Sequence, residues 1–258
     1  MASALSVHGL VKVYGRGKSA GTATRALDGV SFDVEAGEFV AIMGPSGSGK
    51  STLLNCVATI DRPTEGSVLI GGRDVTGMRS RDLADFRREQ LGFIFQDSNL
   101  LDALTCRENI ALPLTIGRVP ARQVVERVDA IATELGVASI LDKYPYQVSG
   151  GQRQRVAACR AMVGGPTLVL ADEPTGALDS KNSRTLLERF DEMNARQGAT
   201  ILMVTHDSFA ASFCGRVLFI RDGRIFTELR RGDVDRREFF ERIMEVVATI
   251  GGGSDDAR

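Results

Sequence analysis

The chain has 258 residues, 43% of them apolar and 25% charged. That balance belongs to an ordinary soluble globular protein long enough to bury a core without disulfides or metal, and it excludes disordered, collagen-like and coiled-coil chains. Thirty-two Lys+Arg against 33 Asp+Glu leave a net charge of −1. No global basic field exists to hold nucleic acid, and no nucleic-acid partner is expected.

No charge-free apolar run approaches the ~18 residues needed to cross a bilayer, so the chain is not expected to span a membrane by itself. The first residues, MASALSVHGL, carry no basic stretch ahead of an apolar one, and no secretory signal is expected. Cys56, Cys106, Cys159 and Cys214 are widely spaced and form no C-x-x-C pair. Free, mostly buried thiols in a reducing compartment are the expectation.

In chain order, Leu5, Val7, Leu10, Val11 and Val13, then Val30, Phe32 and Val34, predict short strands. Between them GRGKSAGTATRA reads as a polar, Gly-rich loop. Phe39–Met43 is a continuous apolar run followed at once by a Gly-rich turn, the pattern of a parallel strand buried on both faces. From about Arg79 to Val163 the pattern is mainly helical, with Val124, Val125, Val128, Ile131 and Leu135 on one stripe. Two more apolar runs, Thr167–Ala171 and Thr200–Val204, each follow a helix-like segment. Strand–helix alternation predicts an α/β core with helices on both faces. Residues 79–163 then read as a helical subdomain inserted in that core.

Near the end, Phe239, Phe240, Ile243, Met244, Val247 and Ile250 form an apolar helical stripe. It suits either a helix packed on its own domain or one that binds a partner. The tail GGGSDDAR reads as disordered.

Gly44-Pro45-Ser46-Gly47-Ser48-Gly49-Lys50-Ser51 fits G-x-x-x-x-G-K-[ST], between a buried strand and an apolar helix. Glycines let successive N–H groups turn inward around phosphate oxygens, and the following helix adds its positive end. Candidate contacts are Gly44, Ser46, Gly47, Gly49, Lys50, Ser51 and Thr52. Lys50 would neutralise the β- and γ-phosphates, and the Ser51 hydroxyl suits Mg²⁺.

Leu168–Ala171 leads into Asp172-Glu173. Side chains alternate along a strand, so the two acids are expected to point to different places. Asp172 suits Mg²⁺, directly or through water. Glu173 is the candidate general base that polarises an attacking water. Loop and acids together predict binding of a nucleoside triphosphate and its hydrolysis. The absence of N-K-x-D favours ATP over GTP.

Ser149-Gly150-Gly151-Gln152 precedes an apolar-faced helix. It is either a plain helix cap or a second anion site. A dimer in which each subunit's second loop closes the other's nucleotide would use both loops.

Ser149-Gly150-Gly151-Gln152 also resembles the signature of ATP-binding cassette (ABC) proteins. The other cassette motifs stand in family order. Tyr14 sits where an aromatic residue stacks on adenine, and Gln96 in Phe93-Ile94-Phe95-Gln96 matches the glutamine loop. Ala177-Leu178-Asp179 matches the D-loop, and His206 in Val204-Thr205-His206-Asp207 matches the switch histidine. Val148 replaces a commoner Leu. The resemblance covers about Leu5 to Glu228.

It implies a P-loop NTPase cassette: a RecA-like mixed sheet core, an N-terminal antiparallel β subdomain and the helical insert. The cassette would occupy 1–228, with 229–258 as a C-terminal helix and flexible tail. It further implies a head-to-tail homodimer holding two Mg–ATP. Each site would combine Lys50, Ser51, Gln96, Asp172, Glu173 and His206 of one chain with Ser149 and Gly151 of the other. Glu173, His206 and Gln96 would be catalytic, Ser51, Gln96 and Asp172 would serve the metal, and Asp179 would border the nucleotide. The power would go to a separate membrane permease, with the cassette on the cytoplasmic face.

Phe86–Leu101 is similar to the macrolide-export and lipoprotein-release class. Thr59–Thr64, Ala157–Met162, Phe209–Cys214 and Arg231-Gly232-Asp233 resemble its bacitracin-export type. That branch implies peptide-antibiotic resistance, removal or sensing, with a sensor histidine kinase in the complex. The alternative is a regulatory ATPase of a cell-division or lipoprotein-release system.

Overall fold

The computed structural model describes residues 3–15 and 23–252. Most of the predicted Gly-rich loop, and the tail beyond Gly252, lie outside the described residues. The N-terminal alternation forms two strands longer than expected, β1 (Ser3–Tyr14) and β2 (Thr24–Glu35), each of 12 residues. Their antiparallel register shifts at four points. Such bulges add local twist and let long strands curl over a core. With β4 (Glu65–Ile70) and β5 (Arg73–Asp74) they make a four-stranded sheet, order β2-β1-β4-β5.

The second sheet holds β3 (Phe39–Met43), β6 (Leu91–Ile94), β7 (Leu168–Asp172), β8 (Ile201–Val204), β9 (Arg216–Arg221) and β10 (Arg224–Arg230). Its order is β10-β9-β3-β8-β7-β6. All are mutually parallel except β10, which returns antiparallel along β9. The sheet is therefore mixed, with a parallel centre.

Helices cover both faces: α1 (Lys50–Val57) and α2 (Ser80–Gln90) on one side, α3 (Cys106–Ile116), α4 (Ala121–Glu134), α5 (Gly150–Met162) and α6 (Ser180–Gln197) on the other. The short α7 (Ser208–Ala211) and the long C-terminal α8 (Arg236–Gly252) follow β8 and β10. The reason for unbroken apolar strands is visible in β3. Phe39, Ala41 and Met43 enter the core beneath the helical layer, while Val40 and Ile42 enter the core beneath the antiparallel sheet. β7 and β8 divide their residues the same way. A strand with core on both faces has no polar face to show.

The block 79–163 is not helical throughout. β6 lies inside it and pairs with β7 at the edge of the core sheet. Its four residues follow the charged helix α2, and so short a run carries too few periods to stand out. All four cysteines are buried and unpaired. β10 continues to Arg230, two residues past the expected boundary at 228.

Phe239 and Ile243 of α8 are fully buried in the core of the helical side, and Ile250 joins them. Of the two readings of the C-terminal stripe, packing on its own domain accounts for this face, while Met244 stays at the surface. Phe239→Ala should therefore lower the unfolding free energy by about 3–5 kcal/mol. Met244→Ala should change it by no more than about 0.5 kcal/mol. Denaturant titration of the two variants checks both values.

Candidate nucleotide-binding site

The strand order sets the carboxyl ends of β3, β8 and β7 side by side. Ile42 pairs with Val204, and Val204 pairs with Asp172. Ligands of open α/β sheets bind beyond such ends. A cavity of about 600 Å³ opens there. Gly44, Ser46, Gly47, Gly49, Lys50, Ser51, Thr52, Asp172, Glu173 and His206 line it, as do Ala26, Pro45 and Val204. Ten of the predicted site residues thus meet in one place.

The phosphate loop is shaped by close approach. Gly49 has φ 104°, and a Cβ there would stand 2.4 Å from the carbonyl oxygen of Ala26. Gly49 also caps α1 without a side-chain acceptor, so the first N–H groups of the helix have no side-chain cap. Those groups and the helix dipole favour an anion. From behind, the Gly223 N–H donates to the Ser48 carbonyl at 3.0 Å, and the Gly223 carbonyl accepts from Asp28 N–H at 2.8 Å. The loop is thereby tied to both sheets.

Lys50 folds back on the loop. Its Nζ donates to the carbonyls of Gly44 (2.8 Å) and Pro45 (2.9 Å). Burial pulls the ammonium below its ordinary range, and the charges of Glu173 and Asp172 oppose that pull. Neutral carbonyl acceptors are weaker partners for an ammonium than phosphate oxygens.

The two acids do not point apart as strand alternation predicts. β7 ends at Asp172, and Glu173 takes φ 45°, which turns its carboxylate back into the same cavity. Glu173 N–H donates to the Val204 carbonyl at 2.9 Å and fixes the turn. Left-handed backbone on a glutamate is strained and persists only where surrounding contacts hold it. Glu173 Oε1 lies 2.8 Å from His206 Nδ1, and Oε2 accepts from Thr205 Oγ1 at 3.2 Å. Thr205 is fully buried, whereas the His206 side chain is 75% exposed.

Burial, and then the neighbouring Glu173 charge, raise the Asp172 carboxyl above the usual carboxylate range, with Lys50 acting against them. A cation beside this pair would relieve both effects. The donors available are hard oxygens, from Ser51 and Asp172. Among the described residues no cluster of three or more His, Cys, Asp or Glu exists. A metal here would draw its other ligands from phosphate and water. Mg²⁺ fits that donor set.

Five predicted residues stand elsewhere, four of them on or beside the helical side. Gln96 follows β6, the third strand from β3, and lines a neighbouring cleft with Gly150, Ala177 and Leu178. β8 and β7 lie between it and the phosphate loop, while β7, which ends at Asp172, is the direct neighbour of β6. Ser149 caps α5 through a reciprocal pair: its Oγ accepts from Gln152 N–H at 3.2 Å, and its own N–H donates to Gln152 Oε1 at 2.9 Å. Gly151 is buried, and a Cβ there would meet Asn182 Oδ1 at 2.1 Å. Asn182 is held by Asp179, which caps α6 through Asn182 N–H at 2.8 Å. None of these four lines the cavity.

Tyr14 also lies off the cavity wall. Its hydroxyl donates to Asp61 Oδ2 at 2.7 Å. Sequence reasoning missed Thr205 and Asp61. Thr205 was within reach, being the residue before His206. Asp61 is 47 residues from Tyr14 and carries no signal of the pairing.

The sequence model of the ABC transporter family matches residues 27–176, more than half of the chain. The chain belongs to the ABC transporter family. It is 51% identical over 230 residues to the bacitracin export ATP-binding protein BceA of Halalkalibacterium halodurans, covering 89% of this chain and 91% of that protein. It is 45% identical to a macrolide export ATP-binding/permease protein MacB of Hyphomonas neptunium over 85% of this chain, which spans 33% of that longer protein. Among solved structures it is similar to the ATP-binding cassette MJ0796 in a dimeric, post-hydrolysis state bound to ADP and Pi. The identity is 36% and the TM-score 0.78, covering 88% of this chain and 98% of that one. This ABC cassette binds ATP and is an ATPase.

The tight seat of Gly49 gives a direct test. Gly49→Ala should cost about 1–3 kcal/mol through backbone strain alone. The loop can relax only by moving off Ala26, so ATP affinity should fall together with the thermal midpoint. Calorimetric titration with ATP and a melting curve read the two effects.

Proposed function

We propose that this cassette is the nucleotide-binding subunit of a peptide-antibiotic transporter. It would work as a homodimer on the cytoplasmic face of the membrane and power a permease carried on another chain. The observation that carries the dimer is the division of the site. The phosphate loop, both acids and His206 share one cavity, while Ser149, Gly151 and Asp179 lie outside it. A second copy, turned head to tail, would present Ser149 and Gly151 at the N-terminus of α5 to the γ-phosphate. The dimeric MJ0796 cassette supports that arrangement.

The relatives support the rest. BceA is named for bacitracin export and matches over nearly its whole length, and MacB is named as an ATP-binding and permease protein. No described helix is long and apolar enough to cross a membrane. The sensor kinase implied by the branch resemblance finds no support in the site or in the relatives. Residues 1–228 would form the cassette, with 79–163 as its insert and 229–258 as an appended segment.

Each residue then has a task. Lys50 leaves its two carbonyls for the β- and γ-phosphates, and the N–H groups of Gly44, Ser46, Gly47 and Gly49 surround the same oxygens. Ser51 and Asp172 would hold Mg²⁺, which would supply charge neutralisation on the phosphates. Glu173 accepts a proton from the attacking water. His206 and Thr205 fix its carboxylate from two sides. Tyr14 offers its ring to the adenine. Gln96, at the end of the strand beside β7, would serve the metal together with Asp172.

Glu173→Gln should keep ATP binding and slow hydrolysis by about 10²–10⁴-fold. Size-exclusion chromatography with ATP should then show a trapped dimer. Lys50→Ala should weaken nucleotide binding itself. Wild-type turnover in Glu173→Gln would remove the general-base assignment. A monomer in saturating ATP would remove the divided site.

A further inference from the structure

The end of α1 is built with unusual care for a helix end. Thr59 takes φ 58°, and Ile60 and Asp61 N–H both donate to the Asn55 carbonyl, at 3.0 and 3.1 Å. Arg87 reaches over from α2 and donates to the Thr59 carbonyl at 3.1 Å and to Thr59 Oγ1 at 3.2 Å. The result is a fixed position for Asp61. Its carboxylate faces β1 and takes two partners there, the Tyr14 hydroxyl on Oδ2 and the Lys12 ammonium on Oδ1.

Lys12 is itself held. Its side chain is only 12% exposed, and Nζ also donates to the Arg62 carbonyl at 2.7 Å. The ammonium sits 4.8 Å from the centroid of the Tyr14 ring. A cation at that distance is attracted to the ring's face. The tyrosine is therefore pinned at its hydroxyl by Asp61 and over its ring by Lys12. It is nonetheless 41% exposed, far more than a ring recruited for core packing. Burial nudges the Asp61 carboxyl upward, but the hydrogen bonds from Lys12 and Tyr14 carry it below the usual range. The anion that holds the ring is thus kept charged.

We propose that Asp61 and Lys12 are positioning residues for the nucleotide base: they set the Tyr14 ring at the angle at which a purine stacks on it, at a fixed distance from the phosphate loop. The inference rests on the reading of Tyr14 as the base platform. The fixed distance comes from α1. The helix opens at Lys50 in the phosphate loop and ends beside Asp61, about 12 Å further on at 1.5 Å per residue. One rigid element thereby carries the phosphate site at one end and the anchor of the base platform at the other.

A base-free ligand separates this role from a structural one. Full-length variants are titrated by displacement of a mant-labelled ATP, using ATP and inorganic tripolyphosphate as competitors. Tyr14→Ala should weaken ATP by about 5–150-fold, the equivalent of 1–3 kcal/mol for one stacked base. Asp61→Ala and Lys12→Met should each weaken ATP by at least ~3-fold, a part of that stacking effect. Tripolyphosphate should bind all three variants as it binds the wild type. Asp61→Asn, whose amide oxygen can still accept from Tyr14, should recover part of the loss. Tyr14→Phe removes the same tether from the other end. It should weaken ATP by no more than Asp61→Ala, which also frees Lys12, and the double variant should bind ATP no more weakly than Asp61→Ala alone; Tyr14→Phe also serves if Asp61→Ala does not fold.

If Tyr14→Ala weakens ATP while Asp61→Ala, Lys12→Met and Tyr14→Phe do not, the positioning role is wrong and the platform stands. If Tyr14→Ala leaves ATP affinity unchanged, the platform itself is wrong. If tripolyphosphate weakens in parallel with ATP in Asp61→Ala and Lys12→Met, these residues support the phosphate loop, and the positioning role is again overturned.

Discussion

Three neighbouring parallel strands end at one edge, and every chemical group of the site hangs from those ends. β3 delivers the phosphate loop, β7 the two acids, and β8 Thr205 and His206. The register that pairs Ile42 with Val204 and Val204 with Asp172 brings groups from three distant parts of the chain to one cavity. Core on both faces of these strands holds the register, since a slip of one residue would exchange the two apolar sets.

Two backbone departures turn that edge into a site. The left-handed Gly49 lets the loop lie against Ala26 and releases uncapped N–H groups toward the cavity. The left-handed Glu173 brings a second carboxylate to the wall that alternation would have sent away. The first departure uses a residue for which it costs little. The second uses one for which it is strained, and the contacts from Val204, Thr205 and His206 hold it. The result is two carboxylates on one wall with different surroundings, Asp172 beside Lys50 and Glu173 held by β8 and the residues after it.

The antiparallel sheet serves the same cavity from above. It supplies Ala26 to the wall, ties the phosphate loop through Asp28 and Gly223, and carries Lys12 and Tyr14 to the far end of α1. The helical insert holds Ser149 and Gly151 away from the cavity of their own chain. The residues that line the cavity and those that stand off it thus belong to different layers of the fold.

Contiguous motifs were legible without a structure. The phosphate loop, the Asp172-Glu173 pair and the Ser149 cap each depend on neighbours within a few residues, and local geometry follows local sequence there. The buried runs of β3, β7 and β8 were legible because a strand covered on both faces is apolar throughout. Only the tertiary structure decided the rest. β6 was hidden because four residues beside a charged helix show no period. The shared direction of the two acids depended on a φ angle that hydrogen bonds from β8 impose. The tether of Tyr14 to Asp61 joins residues on different elements, and the position of Gln96 depends on strand order. A sequence fixes which groups are near along the chain, whereas packing across layers fixes which are near in space.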